Sequence, residues 1–174
     1  ASLHLKDWDI TLLDTPGHVD FSAEMERTLQ VLDYAILLIN GADGVQGHTE
    51  TLWELLKRYQ VPTFLFVNKM DQEGTDSAKL LGELKERLSS QCVDFTVEEN
   101  EAFFEEIATC DEELLEYYLE EGQVEVSQIR QMICERKLFP CYFGSALKVE
   151  GIDAFLEGLN TFWAKPVYPE EFAA

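Results

Sequence analysis

The sequence predicts an α/β protein: a mostly parallel sheet flanked by helices. Three observations carry this. Short runs rich in β-branched and aromatic residues alternate with segments whose apolar residues recur every three or four positions. Two of the runs are almost continuously apolar, as parallel strands covered on both faces are. The 174 residues are 46% hydrophobic and 27% charged, a globular balance long enough to bury one proper core.

The strand runs are WDITLL (8–13), YAILLIN (34–40), PTFLFVN (62–68) and FPCYFG (139–144). The second and third are the nearly continuously apolar pair. Helices are expected where Phe21, Met25, Leu29 and Leu32 share a face, then Leu52, Leu55, Leu56 and Tyr59, then Leu80, Leu81, Leu84 and Leu88. A last helix carries Ile152, Phe155, Leu156, Leu159, Phe162 and Trp163. Residues 95–137 break the alternation. They interpose roughly three helical segments between the third and fourth runs, with Leu114, Leu115, Tyr118 and Leu119 on one face and Val126, Ile129, Met132 and Ile133 on another. The reading is one domain over 1–174 with a helical insertion at about 95–137. The tail AKPVYPEEFAA, with two prolines past the last helix, reads as an exit from the domain.

The net charge is −21, which argues against generic binding to nucleic-acid phosphates. Between Arg87 and Arg130 there is no Lys or Arg, while thirteen acids from Asp94 to Glu125 fall inside. That run is either a solvated helical face or a docking face for a basic partner. No apolar run is long enough to cross a membrane. The first ten residues lack the basic-then-apolar order of a secretory leader. The four cysteines have neither CxxC spacing nor a histidine at metal spacing, so they read as free thiols of a cytoplasmic protein.

Ligands of α/β sheets bind beyond the carboxyl ends of the strands. Three polar clusters close predicted strands: Asp14-Thr15-Pro16-Gly17-His18, Asn68-Lys69-Met70-Asp71, and Gly144-Ser145-Ala146-Leu147. Their chemistry fits a guanine nucleotide. A carboxylate such as Asp71 accepts two hydrogens at once, and guanine offers that pair through N1–H and its exocyclic amine; adenine does not. Asn68 can bridge loops or meet the base edge, and the Lys69 stem can cover the purine face. A backbone N–H near Ala146 can reach the guanine carbonyl oxygen. Asp14 is placed to hold Mg²⁺ through water. Gly17, without a Cβ, lets its N–H approach a γ-phosphate oxygen. His18 beside that phosphate can orient the attacking water.

With these residues in view, the chain resembles a translational GTPase of the elongation factor G type. DTPGHVDF (14–21) resembles that family's third guanine-nucleotide motif, NKMD (68–71) its fourth and GSA (144–146) its fifth; RTLQVLDYAILLINGADGVQGHTE (27–50) resembles the segment between. Within the family, LFPCYFGSALKVEGID (138–153) and the short insertion look most like the tetracycline-resistance ribosomal protection proteins. The resemblance implies a P-loop NTPase-like G domain, GTP and GDP as ligands with Mg²⁺, and hydrolysis switched on by the ribosome. It implies His18 as the catalytic residue and Asp14 as the metal residue. Asp14, Thr15, Pro16 and Gly17 fall to the phosphate end, and Asn68, Lys69, Asp71, Ser145, Ala146 and Leu147 to the base. It also implies contact between the inserted subdomain and the ribosomal stalk protein. Elongation factor G or release factor 3 types, and an interaction module without turnover that works through its acidic insertion, are the alternatives.

The phosphate-cradling pattern G-x-x-x-x-G-K-[ST] does not occur; GADGVQGHT (41–49) has glycines but no lysine in place and reads as a loop. The expectation is a G domain incomplete at its N-terminus, with that pattern and the switch I threonine lying upstream. Weak GTP binding and negligible hydrolysis are expected of residues 1–174 alone. A gap where a strand is missing between 8–13 and 34–40 is expected as well, leaving edges open to self-association.

Overall fold

The computed structural model describes residues 1–15 and 23–165. Pro16, Gly17 and His18 lie outside them. Six strands and seven helices follow in the order β1 (Ser2–Leu5), β2 (Trp8–Thr11), α1 (Ala23–Gln30), β3 (Ala35–Asn40), α2 (Gly47–Arg58), β4 (Thr63–Asn68), α3 (Ser77–Arg87), β5 (Cys92–Asp94), α4 (Glu101–Ala108), α5 (Glu112–Glu121), α6 (Val126–Cys134), β6 (Phe139–Phe143) and α7 (Ile152–Phe162).

Four strands form a wholly parallel sheet in the order β3-β4-β6-β5. The centre is therefore β4 and β6. β3 is an edge strand of this sheet, and its Leu38 is 67% exposed. β4 shows why continuous apolarity marks a central strand. Phe64 and Phe66 enter the core on one face, with Tyr142, α4, α6 and α7, while Leu65 and Val67 enter the other, with Cys141, α2 and α3. β6 tolerates Pro140 because its pairing with β4 begins only at Cys141; the missing N–H removes no bond from that ladder.

Two strands went unread in the sequence. β5 is three residues long, too short to show alternation, and it extends the sheet by pairing with β6. β1 pairs antiparallel with β2. This hairpin is a separate two-stranded sheet, apart from β3 and the parallel sheet, in keeping with the gap expected between 8–13 and 34–40. Its own pattern suits that place. β2 alternates half-buried Trp8 and Ile10 with exposed Asp9 and Thr11, which suits a strand covered on one face. Leu5, Trp8 and Ile10 pack against the core near α7, where Trp8 meets Trp163 edge-to-face.

Residues 95–137 contain three helices, as read. Each starts on a polar residue suited to its place: Asn100 accepts from the Phe103 N–H, Asp111 from the Leu114 N–H, and Glu125 forms a reciprocal box with Gln128. Their buried faces, with Phe103, Ile107, Leu114, Ile129 and Ile133, cover one side of the sheet.

Arg136, just past α6, ties three elements together. Its guanidinium lies 5.0 Å from the Trp53 ring and 4.9 Å from the Phe139 ring, and it donates to the Val61 carbonyl and the Thr63 hydroxyl. Burial lowers its pKa. Arg136→Ala is expected to cost about 2 kcal/mol, the scale of a desolvated cation–π contact or a charged hydrogen bond. Arg136→Lys should recover less than half, because an ammonium cannot reproduce the planar fork. Urea denaturation of the three proteins checks this.

Candidate functional site

The site is built at the carboxyl ends of β4 and β6. These strands pair from Leu65↔Cys141 to Val67↔Phe143, so the loops that leave them start side by side. Gly144 N–H donates to the Val67 carbonyl, and Met70 N–H donates back to the Gly144 carbonyl, each at 3.0 Å. Asn68 joins the two loops: its Oδ1 accepts from Lys69 N–H at 2.8 Å and from Ala146 N–H at 2.9 Å. Lys69 turns the chain with φ of +63°, and Thr75 closes the turn by donating to the Met70 and Gln72 carbonyls.

Asp71 sits between the loops with its side chain 17% exposed. The Ser145 hydroxyl hydrogen-bonds its carboxylate and holds it below the usual carboxylate range, against the opposing effect of desolvation. Ser145 is buried, and its own oxygen accepts from Lys148 N–H. The Lys148 ammonium stands 3.9 Å from Asp71 Oδ2. The second loop closes tightly, Ser145 and Glu150 exchanging both backbone bonds, and leaves Leu147 89% exposed.

Of the residues expected at the base, Asn68, Lys69, Asp71, Ser145, Ala146 and Leu147 are thus brought together from positions more than seventy residues apart. One detail differs. The Ala146 N–H, expected to face the ligand's carbonyl oxygen, is donated to Asn68. Asp14 and Thr15 follow the separate hairpin and are exposed, and no hydrogen bond or ion pair among the described residues links them to either loop. Among the described residues no group of three or more His, Cys, Asp or Glu side chains could hold a metal. A lone exposed carboxylate such as Asp14 nevertheless fits Mg²⁺, which takes one or two protein carboxylates and completes its shell with water and phosphate.

The sequence reading missed Lys148, whose signal was a cation three residues past Ser145. It also set aside the glycine-rich segment after β3. Residues 41–46 are a loop, as read, but α2 begins at Gly47, and the loop lies against the site. Asn40, Asp43, Gln46, His48 and Thr49 line with Asn68 a cleft of about 270 Å³.

The elongation factor Tu GTP-binding domain family matches residues 1–165. The chain belongs to that family. The G domain here is 32% identical to elongation factor G of Mycoplasma pneumoniae, over 96% of this chain and 31% of that protein. It is 35% identical to the tetracycline resistance protein TetM of Ureaplasma urealyticum and to TetM from transposon Tn916 of Enterococcus faecalis, over 94% of this chain and 28% of each. The chain therefore spans about three-tenths of the length of these relatives. A crystal structure of a Thermus thermophilus protein has the same fold, with a TM-score of 0.78 and 24% identity over 95% of this chain and 32% of that one.

Because the Asp71 pKa is depressed in the folded state, its ionised form stabilises the fold above the unfolded carboxylate value of about 3.9, and that contribution is lost as pH falls through the folded value. The stability difference between wild type and Asp71→Asn should be constant from pH 7 to about pH 5 and shrink below about pH 4. Chemical denaturation across that range checks it.

Proposed function

We propose that this G domain binds GTP and GDP through the two joined loops and works in a ribosome-dependent translational GTPase of the cytoplasm. The observation that carries the reading is the junction of Asn68–Asp71 with Ser145–Leu147, in which the Asp71 carboxylate is held ionised between the loops. An ionised acid there accepts the N1–H and amine of guanine and leaves an adenine ring mispaired. Asn68 keeps the loops in register, the Lys69 stem covers the base, and a backbone N–H near Ala146, that of Leu147, answers the carbonyl oxygen. Asp14 would hold Mg²⁺; Thr15, Pro16 and Gly17 would bind the phosphate end, and His18 would position the attacking water. Mg²⁺ bound there would supply charge neutralisation on the phosphates. Residues 1–174 alone, without G-x-x-x-x-G-K-[ST], hydrolyse GTP negligibly. The ribosomal-protection type is our reading within the family; 35% identity to TetM supports it.

A second reading uses the insertion as an interaction surface, with the ribosomal stalk protein as partner. A groove of about 550 Å³ between α4 and α5 combines Phe104, Tyr118 and Leu119 with Glu99 and Glu101, which suits a basic partner with an apolar anchor. Self-association through the β3 edge, which among the described residues pairs with β4 alone, is a further proposal.

Nucleotide titration of the natural full-length protein tests the main reading. GDP should bind with strong preference over ADP, and Asp71→Ala should weaken GDP about 10- to 150-fold while leaving ADP unchanged. His18→Ala should abolish ribosome-stimulated hydrolysis with GDP affinity retained. Equal affinity for GDP and ADP would sink the assignment.

A further inference from the structure

The turn after β3 is held by side chains from α3, and it touches the base-reading loop. Val45 lies in neither a helix nor a strand, yet both its backbone groups are taken by α3. Its N–H donates to Glu83 Oε1 at 2.9 Å, and its carbonyl accepts from Arg87 Nη1. Arg87 also donates to Glu83 Oε1 at 3.3 Å and, through Nε, to Glu50 Oε1 of α2 at 2.9 Å. Gly44 sits at φ of +67° with the Glu83 carboxylate in the space a Cβ would fill, Oε2 being 2.7 Å from that point. At the other end of the turn, Gly41 N–H donates to the Asn68 carbonyl at 2.8 Å. A Cβ on Gly41 would stand 2.8 Å from Met70 Sδ and 3.0 Å from the Asn68 oxygen. The path is continuous: α3 side chains, Val45, the turn, Gly41, then the Asn68–Asp71 loop, which itself leads into α3 through the Asp76 cap.

We infer that Glu83 and Arg87 are positioning residues for the guanine-reading loop, acting through the Gly41–Val45 turn that they clamp. The inference rests on the guanine-nucleotide reading of residues 68–71. Among the described residues neither side chain has a hydrogen bond or ion pair to the two loops that meet the base. Their part is to keep the turn seated, so that the Asn68–Met70 backbone is already in its binding shape before the nucleotide arrives. Preorganisation of this kind lowers the ordering cost of binding and slows dissociation, and it leaves base choice to Asp71.

The test is stopped-flow dissociation of GDP from the natural full-length protein, with melting temperature and the GDP-to-ADP affinity ratio measured on each variant. Glu83→Ala and Arg87→Met should each speed GDP dissociation about 2- to 30-fold, the range for residues that act without touching ligand, with the ratio unchanged. Glu83→Gln keeps an acceptor for the Val45 N–H and should recover most of the wild-type rate. It also serves as the reading if Glu83→Ala does not fold. Phe103→Leu, in the core on the opposite face of the sheet, lowers the melting temperature without reaching the turn and should leave dissociation unchanged. The inference is overturned if the Glu83 and Arg87 variants dissociate at the wild-type rate, or if Phe103→Leu at equal destabilisation speeds dissociation as much. Wild-type protein that fails to bind GDP would remove the guanine reading itself, and the inference with it.

Discussion

The pairing of β4 with β6 is the constraint on which the rest depends. Residues 65–67 and 141–143 lie in parallel register, so both chains leave the sheet at the same end and level. From there the loops are sewn together by backbone alone, Gly144 to Val67 and Met70 to Gly144, before any side chain acts. Asn68 then spans them with one oxygen, and Ser145 turns its hydroxyl to Asp71. Were the strands antiparallel, the two loops would emerge at opposite ends of the sheet and no such junction could form.

That pairing is itself a product of burial on two faces. β4 and β6 are covered by α2 and α3 on one side and by α4, α6 and α7 on the other, and every residue of β6 is buried. A strand so enclosed cannot slip by one residue without exchanging its two apolar sets, Phe64 and Phe66 for Leu65 and Val67, between differently shaped cores. The register that aligns the loops is therefore held by packing some distance from them. The same packing keeps Ser145 out of water, where its hydroxyl has Asp71 and Lys148 as its company.

The hairpin β1–β2 stands apart from this arrangement. It is docked by Trp8 and its neighbours onto the α7 side of the core, with a Lys6–Glu157 pair at 3.0 Å on its rim. An exposed pair of that kind contributes little, so apolar contact holds the hairpin in place. Asp14 and Thr15 extend from it. The two joined loops and this extension thus depend on separate sets of contacts, one internal to the parallel sheet and one made by the hairpin on α7.

The sequence by itself determined the class of fold, the three-helix character of 95–137 and the pairing in chemistry of Asn68–Asp71 with Ser145–Leu147. Those features rest on local rules: apolar periodicity, caps at Asn100 and Asp111, and polar clusters that close apolar runs. The tertiary structure alone decided that β6 shares the centre with β4 while β3 lies at the edge, because apolarity does not reveal an edge and only neighbours do. It alone recruited the three-residue β5, whose strand state comes from pairing with β6 rather than from its own pattern. It likewise alone placed Lys148 on Asp71, and Glu83 and Arg87 on Val45, since contacts between side chains of separate elements are set by where the helices pack and leave no period in the chain.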